Sequence, residues 1–368
     1  MSKIAGDKTS DPGHRRKPKT IRFHLACLAA LFAVLVIVTA GMGALYQAIA
    51  TARDLRKYPP PGKMVDIGGY RLHLYSTGEG NPTVLMDAGL GNTALSWSWV
   101  QPELSKFTRV CTYDRAGLGW SDPSPFPRTS GQIVKELRAA LAKAGVHGPY
   151  ILVGHSFGGF NVRLFAYQYP DEVTGMVLVD SSHEDQLINF PSAAIRLREE
   201  RLENYNWRGQ FSFFGLTRLQ TGPNTSLPPE WQDASQALKS RTPTYRTVCA
   251  EMQGFEQSAA QVRKARRPLK IPSVVLTAGD DFQHPELTEQ DCAYYNKAWK
   301  EMQADLASQL NGSHHIVVPE SGHSIQLDQP DAVVAAVIEV LKKVRAQSPD
   351  TSTRQPAGAA SGSEARFQ

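Results

Sequence analysis

The chain is most constrained at Tyr150-Ile151-Leu152-Val153-Gly154-His155-Ser156-Phe157-Gly158-Gly159-Phe160. There a short apolar run stops at Gly-x-Ser-x-Gly, and a helix-like segment, Asn161 to Tyr169, begins at once. Strand, tight turn and helix in that order lift a serine hydroxyl above the edge of a sheet. Gly154 and Gly158 belong there because a side chain at either would collide with the neighbouring strand or helix. The turn also puts the Phe157 N–H at a helix N-terminus, where donors are unpaired and the dipole favours an oxyanion. The bland alternative is a chance match in a glycine-containing turn, and the flanking elements weigh against it.

A second constraint lies near the start. Leu25 to Tyr46 carries no charged residue across 22 positions, enough for a helix to cross a hydrocarbon core of roughly 30 Å. The basic tail before it, with Arg15, Arg16, Lys17, Lys19 and Arg22, would stay in the cytoplasm and send the folded domain to the other side. The competing reading is a cleaved secretory signal, since Ala48-Ile49-Ala50 and Ala50-Thr51-Ala52 both offer a small-x-small site. The apolar run is longer than a usual signal core, which favours an uncleaved anchor. The formal net charge of +5 belongs entirely to residues 1–22, and the rest of the chain balances to zero. The overall basicity therefore says nothing of a nucleic-acid surface, and no nucleic-acid partner is expected.

The expected organisation is a basic cytoplasmic tail (1–23), a transmembrane anchor (24–46), a stiff extended linker around Pro59-Pro60-Pro61 (47–62), a folded domain (63–346) and a disordered tail (347–368). Within the domain, strands and helices alternate, which predicts a mostly parallel sheet with helices on both faces. An opening hairpin is expected at Met64–Ile67 and Arg71–Thr77. Buried-type strands are predicted after it at Thr83–Asp87, Arg109–Tyr113, Ile151–Val153, Met176–Asp180, Ser273–Thr277 and His314–Val318. Helices are predicted over Ser130–Ala144, Asn161–Tyr169, Thr288–Leu310 and Asp328–Arg345. From about 182 to 270 no convincing strand occurs, so this stretch is expected to form a helical cap over the carboxyl edge of the sheet. Its aromatics, among them Phe190, Tyr205, Trp207, Phe211, Phe213, Phe214, Trp231 and Tyr245, are expected chiefly to hold the cap together, with a minority lining a pocket. Cys27, Cys111, Cys249 and Cys292 lack metal-ligand spacing. Free thiols are the default, although Cys249 and Cys292 would be candidates to pair in an oxidising compartment.

A serine hydroxyl needs a base within reach and a carboxylate to orient that base. His323, in Ser321-Gly322-His323-Ser324 between the last strand and the last helix, is the best placed of the histidines. His155, beside the serine, faces away from an elbow and is read as a packing residue; His183, His284, His314 and His315 are weaker candidates.

With these residues identified, the chain resembles the α/β-hydrolase superfamily over roughly residues 63–345, with serine elbow, acid and histidine in that family's order. Asp114-Arg115-Ala116-Gly117-Leu118-Gly119-Trp120-Ser121 is similar to the family's Asp-Arg-x-Gly-x-Gly-x-Ser loop, which mainly shapes the turn beneath the elbow. The resemblance implies a doubly wound, mostly parallel sheet with a helical cap. It also implies an oxyanion hole built from the Phe157 N–H and a second donor after the third strand. In Asp87-Ala88-Gly89-Leu90-Gly91-Asn92 that donor would be the Leu90 N–H, with alanine where the family usually has histidine. Asn92 could add a side-chain donor. Two positions compete for the acid. Asp281, or less well Asp280, matches the usual place after the strand that follows the cap. Asp180 matches relatives such as haloalkane dehalogenases, which use the end of the preceding strand.

A serine at the elbow disfavours epoxide hydrolysis and dehalogenation, which use an aspartate there in this family. The resemblance therefore implies hydrolysis of an ester, thioester or amide through an acyl-enzyme, with no metal or organic cofactor. The aromatic cap points to a small-molecule substrate with an apolar acyl or alcohol part. Two alternatives stay open: a non-catalytic ligand-binding protein on the same fold, and an acyltransferase or lyase using the same residues.

Overall fold

The computed structural model describes residues 19–310 and 312–347. All of the expected disordered tail but Gln347, and most of the expected cytoplasmic tail, lie outside them. In chain order the helices are α1 (Lys19–Lys57), α2 (Gln101–Leu104), α3 (Ser130–Ala144), α4 (Gly158–Gln168), α5 (Gln186–Asn189), α6 (Ser192–Phe211), α7 (Pro229–Lys239), α8 (Thr242–Gln253), α9 (Phe255–Ala265), α10 (Glu289–Gln309), α11 (Ile325–Asp328) and α12 (Pro330–Gln347). The strands are β1 (Lys63–Asp66), β2 (Arg71–Thr77), β3 (Thr83–Asp87), β4 (Val110–Tyr113), β5 (Tyr150–His155), β6 (Val173–Val179), β7 (Ser273–Ala278) and β8 (His314–Val318).

One eight-stranded sheet runs in the order β1-β2-β4-β3-β5-β6-β7-β8. The β1–β2 hairpin and the β2–β4 pair are antiparallel, and every pairing from β4 through β8 is parallel. The central strands alternate between two apolar layers, as strands covered on both faces must. Leu85, Leu152 and Leu178 face a core shared with α3, α4 and α9. Val84, Met86, Ile151, Val153, Val177 and Val179 face a second core filled by Val333, Val337, Val340 and Leu341 of α12. The cap expected from the strandless gap is present as α5 to α9, inserted between β6 and β7.

The linker differs from its expected form. α1 does not end at the close of the apolar run but continues to Lys57, and only Tyr58 to Gly62 lies outside regular structure. The alanine-rich stretch Ala48 to Ala52 favours helix, and the polar residues of this extension are held by the cap. Gln47 Nε2 donates to Ser240 O (2.8 Å), Arg218 Nε donates to Gln47 Oε1 (2.6 Å), and Arg218 is paired with Asp54 (2.6 Å). The prolines stop the helix rather than stiffen a long linker. Among the described residues all four cysteines are free, three of them buried, so Cys249 and Cys292 do not pair.

Leu178, wholly buried on the central strand β6, reports on the core directly. Leu178→Ala is expected to lower stability by about 2–5 kcal/mol, read from denaturant midpoints of the detergent-solubilised chain. A loss within about 0.5 kcal/mol, the usual size for a surface change, would contradict this packing.

Candidate active site

β5 ends at His155 and α4 starts at Gly158, leaving Ser156 in the turn with φ at +50°. A non-glycine residue there is strained, and strain of this kind persists only where the surroundings over-determine it. Here they do. The Ser156 N–H donates to Val179 O, and Ser156 O accepts from the N–H groups of Gly159 and Ser182. The flanking glycines leave no space for a side chain. A Cβ on Gly154 would meet Val162 Cγ2 at 2.5 Å, and one on Gly158 would press on the Asp87 carbonyl.

Three side chains from three strand ends converge. Ser156 Oγ lies 2.9 Å from His323 Nε2, and His323 Nδ1 lies 2.6 Å from Asp180 Oδ2. Asp180 comes directly after β6, is almost fully buried and, like Ser156, has a positive φ of 40°. Its other oxygen accepts from the Ala278 N–H (3.0 Å) and the Trp299 indole N–H (2.9 Å). The Trp299 ring stands edge-on to His323, with centroids 5.9 Å apart. Two aligned donors on Oδ1 and a ring nitrogen on Oδ2 leave the carboxylate one orientation.

Asp281, the other expected acid, is placed elsewhere. The Asp280 N–H donates to Ser321 O, and the Asp281 carboxylate then turns outward to Lys300 Nζ at 2.7 Å, with both side chains about half exposed. That contact is a surface ion pair of α10, apart from His323. Asp280 and Asp281 both line a cleft shared with Ser156, Asp180 and His323, and neither bonds the histidine among the described residues.

His155 is buried behind the serine. Its Nε2 contacts His323 O at 2.8 Å, and Gln326 lies at its Nδ1. Burial, with nearby His323 adding to it, pushes its pKa down to about 3. It is therefore a neutral packing residue at ordinary pH.

The loop after β3 lies against the elbow. Among the described residues neither the Phe157 nor the Leu90 N–H has a protein acceptor, and both residues line the cleft above Ser156. Beneath the loop runs Arg115, of the Asp-Arg-x-Gly segment expected mainly to shape a turn. Asp114 does that, accepting from the N–H groups of Ala94 and Trp120. Arg115 instead holds the loop. It donates to Ala88 O, Gly89 O and Asp87 Oδ1, each at 2.7 Å, and to both oxygens of Glu251 at 2.7 and 3.0 Å. Glu251, on cap helix α8, also accepts from the Gly91 N–H (2.9 Å). Burial works against the charge on Arg115, but Glu251 and Asp87 outweigh it and hold its pKa above the usual arginine value. Neither Glu251 nor Trp299 stands out in the sequence. For Trp299 a signal exists in its i,i+4 pairing with Tyr295 on one helix face; for Glu251, 136 residues from its partner, there is none.

The cleft over Ser156 and His323 has a volume of about 350 Å³. Its walls include Leu187, Phe190, Ile195, Tyr205, Met252 and Phe255, with the guanidinium-bearing Arg198 and Arg201 on the cap side. Of the cap aromatics, Phe190 and Tyr205 line this cleft and Tyr245 is buried, whereas Trp207 is 63% exposed. Asn92 also lines the cleft, Trp97 is core, and Trp99 is partly exposed and bonded to Ser226 O. Among the described residues no group of histidine, cysteine and carboxylate side chains could hold a metal ion.

Residues 84–336 match the Alpha/beta hydrolase family. Among curated proteins, YqjL of Bacillus subtilis (strain 168) is 28% identical over 279 residues, covering 76% of this chain and 91% of that protein. "Probable transporter efuK" of Hormonema carpetanum is 27% identical over 309 residues, which take in 77% of this chain but only 43% of efuK. Among solved structures, the epoxide hydrolase CorEH superposes with a TM-score of 0.59 at 19% identity, covering 77% of this chain and 98% of that one. An esterase from Thermogutta terrifontis superposes with a TM-score of 0.54 at 22% identity, with the same coverage. Likeness at such identities is one of fold, and the two proteins are named for different chemistries on it.

His155 yields a pH prediction. The unfolded chain takes up a proton on this imidazole near pH 6.5, while the native state refuses it until about pH 3. Between those values the unfolded state binds more protons, so stability falls as pH is lowered through that window. His155→Gln, compared with wild type in denaturant titrations at pH 7 and pH 5, is expected to lose less stability on acidification. Equal losses in the two proteins would contradict it.

Proposed function

Because this chain belongs to the alpha/beta hydrolase family, we propose that it is a serine hydrolase that cleaves an ester, thioester or amide through a covalent acyl-enzyme. Ser156 is the nucleophile, His323 the general base and Asp180 the acid that orients it. The observation that carries the reading is the continuous contact from Ser156 Oγ through His323 to the buried Asp180 carboxylate, at 2.9 and 2.6 Å. With Nδ1–H donated to Asp180, His323 Nε2 is left to accept the serine proton as Oγ attacks the carbonyl carbon. The negative charge that develops on the carbonyl oxygen falls to the Phe157 and Leu90 N–H groups, which meet no competing acceptor among the described residues. His323 then passes its proton to the leaving alcohol, thiol or amine. Water enters by the same route in reverse and releases the acid. The apolar walls of the cleft support a substrate with an apolar acyl or alcohol portion.

We further read α1 as a retained anchor with the catalytic domain on the extracytoplasmic side. Its apolar portion is long enough to cross a membrane, and the basic residues before it favour that orientation. Cleavage at the small residues after Ala48 would remove Gln47, whose side chain is bonded to the cap on both its amide atoms.

Asp180→Asn and Asp281→Asn separate the two acids. On p-nitrophenyl esters, Asp180→Asn is expected to lose turnover on the order of 10⁴-fold, as removal of an orienting carboxylate does, with an unchanged melting profile. Asp281→Asn is expected to retain wild-type turnover. A folded Asp180→Asn protein with near wild-type turnover would contradict the assignment. Across a series of acyl lengths, kcat/KM is expected to rise with chain length, and indifference to length would count against the apolar subsite.

A further inference from the structure

α1 meets the cap along one stripe, Gly43, Gln47, Thr51 and Asp54, spaced as one face of a helix. Gln47, Thr51 and Asp54 all bond Arg218. At Gly43 the approach is backbone to backbone, and a Cβ there would come 2.6 Å from Phe214 O. These contacts start in the last turn of the uncharged run Leu25–Tyr46 and continue beyond it. At about 1.5 Å per residue that run spans about 33 Å, the thickness of a hydrocarbon core. The cap segment that grips α1 is therefore held at the level where the helix leaves the apolar layer.

At that level the cap turns apolar side chains outward. Trp207 is 63% exposed, Leu219 81% and Leu216 54%, with Phe211 and Phe213 each more than a third exposed. They form one surface with α1. Trp207 stacks on Phe211 (5.2 Å between centroids) and Phe211 on Phe214 (6.2 Å), the Phe213 ring lies tilted against Phe214 (3.9 Å), and Phe214 sits against Gly43. Leu216 and Leu219 stand on the same side of a single 3-10 turn. Rings that served only to hold the cap together would not be left so open. Tryptophan and tyrosine at the ends of a span are the usual residues of the membrane–water interface.

We propose that residues 207–219 of the cap form a membrane-contacting surface, seated in the headgroup and upper acyl layer of the bilayer that α1 crosses. The occupant is lipid, and the inference rests on the anchoring reading above. It extends to the active site, because α6 carries Leu197, Arg201 and Tyr205 into the cleft and Trp207 and Phe211 to this surface. Tyr205 and Phe211 are about 9 Å apart along the helix axis, so the cleft lies close to the layer where amphiphilic substrates concentrate.

The test uses the full chain in phosphatidylcholine nanodiscs, with Cys27→Ala removing the exposed native thiol. Leu219→Cys, Leu35→Cys in the span and Lys342→Cys near the end of α12 are each labelled with an environment-sensitive fluorophore. Nitroxide lipids quench at shallow or deep positions. The label at 219 is expected to lose about half its emission or more to the shallow nitroxide, as for side chains roughly 5–10 Å into the interface. The label at 35 is expected to be quenched by the deep nitroxide, and the label at 342 by neither. Quenching at 35 without quenching at 219 overturns the cap surface and leaves the anchor standing. No quenching at 35 overturns the anchor, and the proposal with it. Equal quenching at 219 and 342 also overturns the proposal, since it would show the whole domain lying on the bilayer.

Discussion

The buried guanidinium of Arg115 holds the functional end of this molecule together. Its five N–H donors make five hydrogen bonds: to two backbone carbonyls of the loop after β3, to Asp87 at the end of that strand, and twice to Glu251 of the cap. A charge so deep is tolerated only when paired and fully bonded, and removing one partner of such a pair costs about 3–5 kcal/mol. Asp87 also accepts from the Tyr113 hydroxyl and the Asn161 amide, which ties the cluster to β4 and to the helix behind the elbow. The cap is therefore fastened through its α8 helix to the backbone that lies against Ser156.

On this base the three side chains of the proposed relay come from strand ends. β5 and β6 are paired in register through His155 and Val179, so the next residues, Ser156 and Asp180, emerge side by side at the carboxyl edge of the sheet. Both have positive φ without being glycine. Strain of that kind is held by the surrounding packing, here the close backbone approaches at Gly154 and Gly158. His323 reaches between them from the loop after β8, the edge strand of the parallel stretch. Placement at the carboxyl edge is what an open parallel sheet offers a ligand.

Much of this is legible in the sequence because it is local. A buried parallel strand needs an uninterrupted apolar run, and the expected strands agree with the observed ones to within a few residues. The elbow announces itself through glycines that clear space at fixed offsets from the serine. His323 can be placed because it sits between the last strand and the last helix. What is not legible depends on direction or distance. Asp180 and Asp281 both lie just past strand ends near the cleft, and only the path of the backbone shows that one faces His323 and the other Lys300. The pairing of Arg115 with Glu251 joins positions 136 residues apart. The linker reads as extended because three prolines in a row outweigh the helix-forming residues before them, and the contacts of Gln47 and Asp54 with the cap leave no local trace.

The central question is whether Ser156 is an activated nucleophile in the full chain. The protein would be exposed to a fluorophosphonate and its peptides read by mass spectrometry. A working Ser156–His323–Asp180 relay predicts one phosphonylated peptide, carrying Ser156, absent in Ser156→Ala and formed far more slowly in His323→Ala. A folded wild-type protein that stays unmodified, or one modified at another residue, would contradict it.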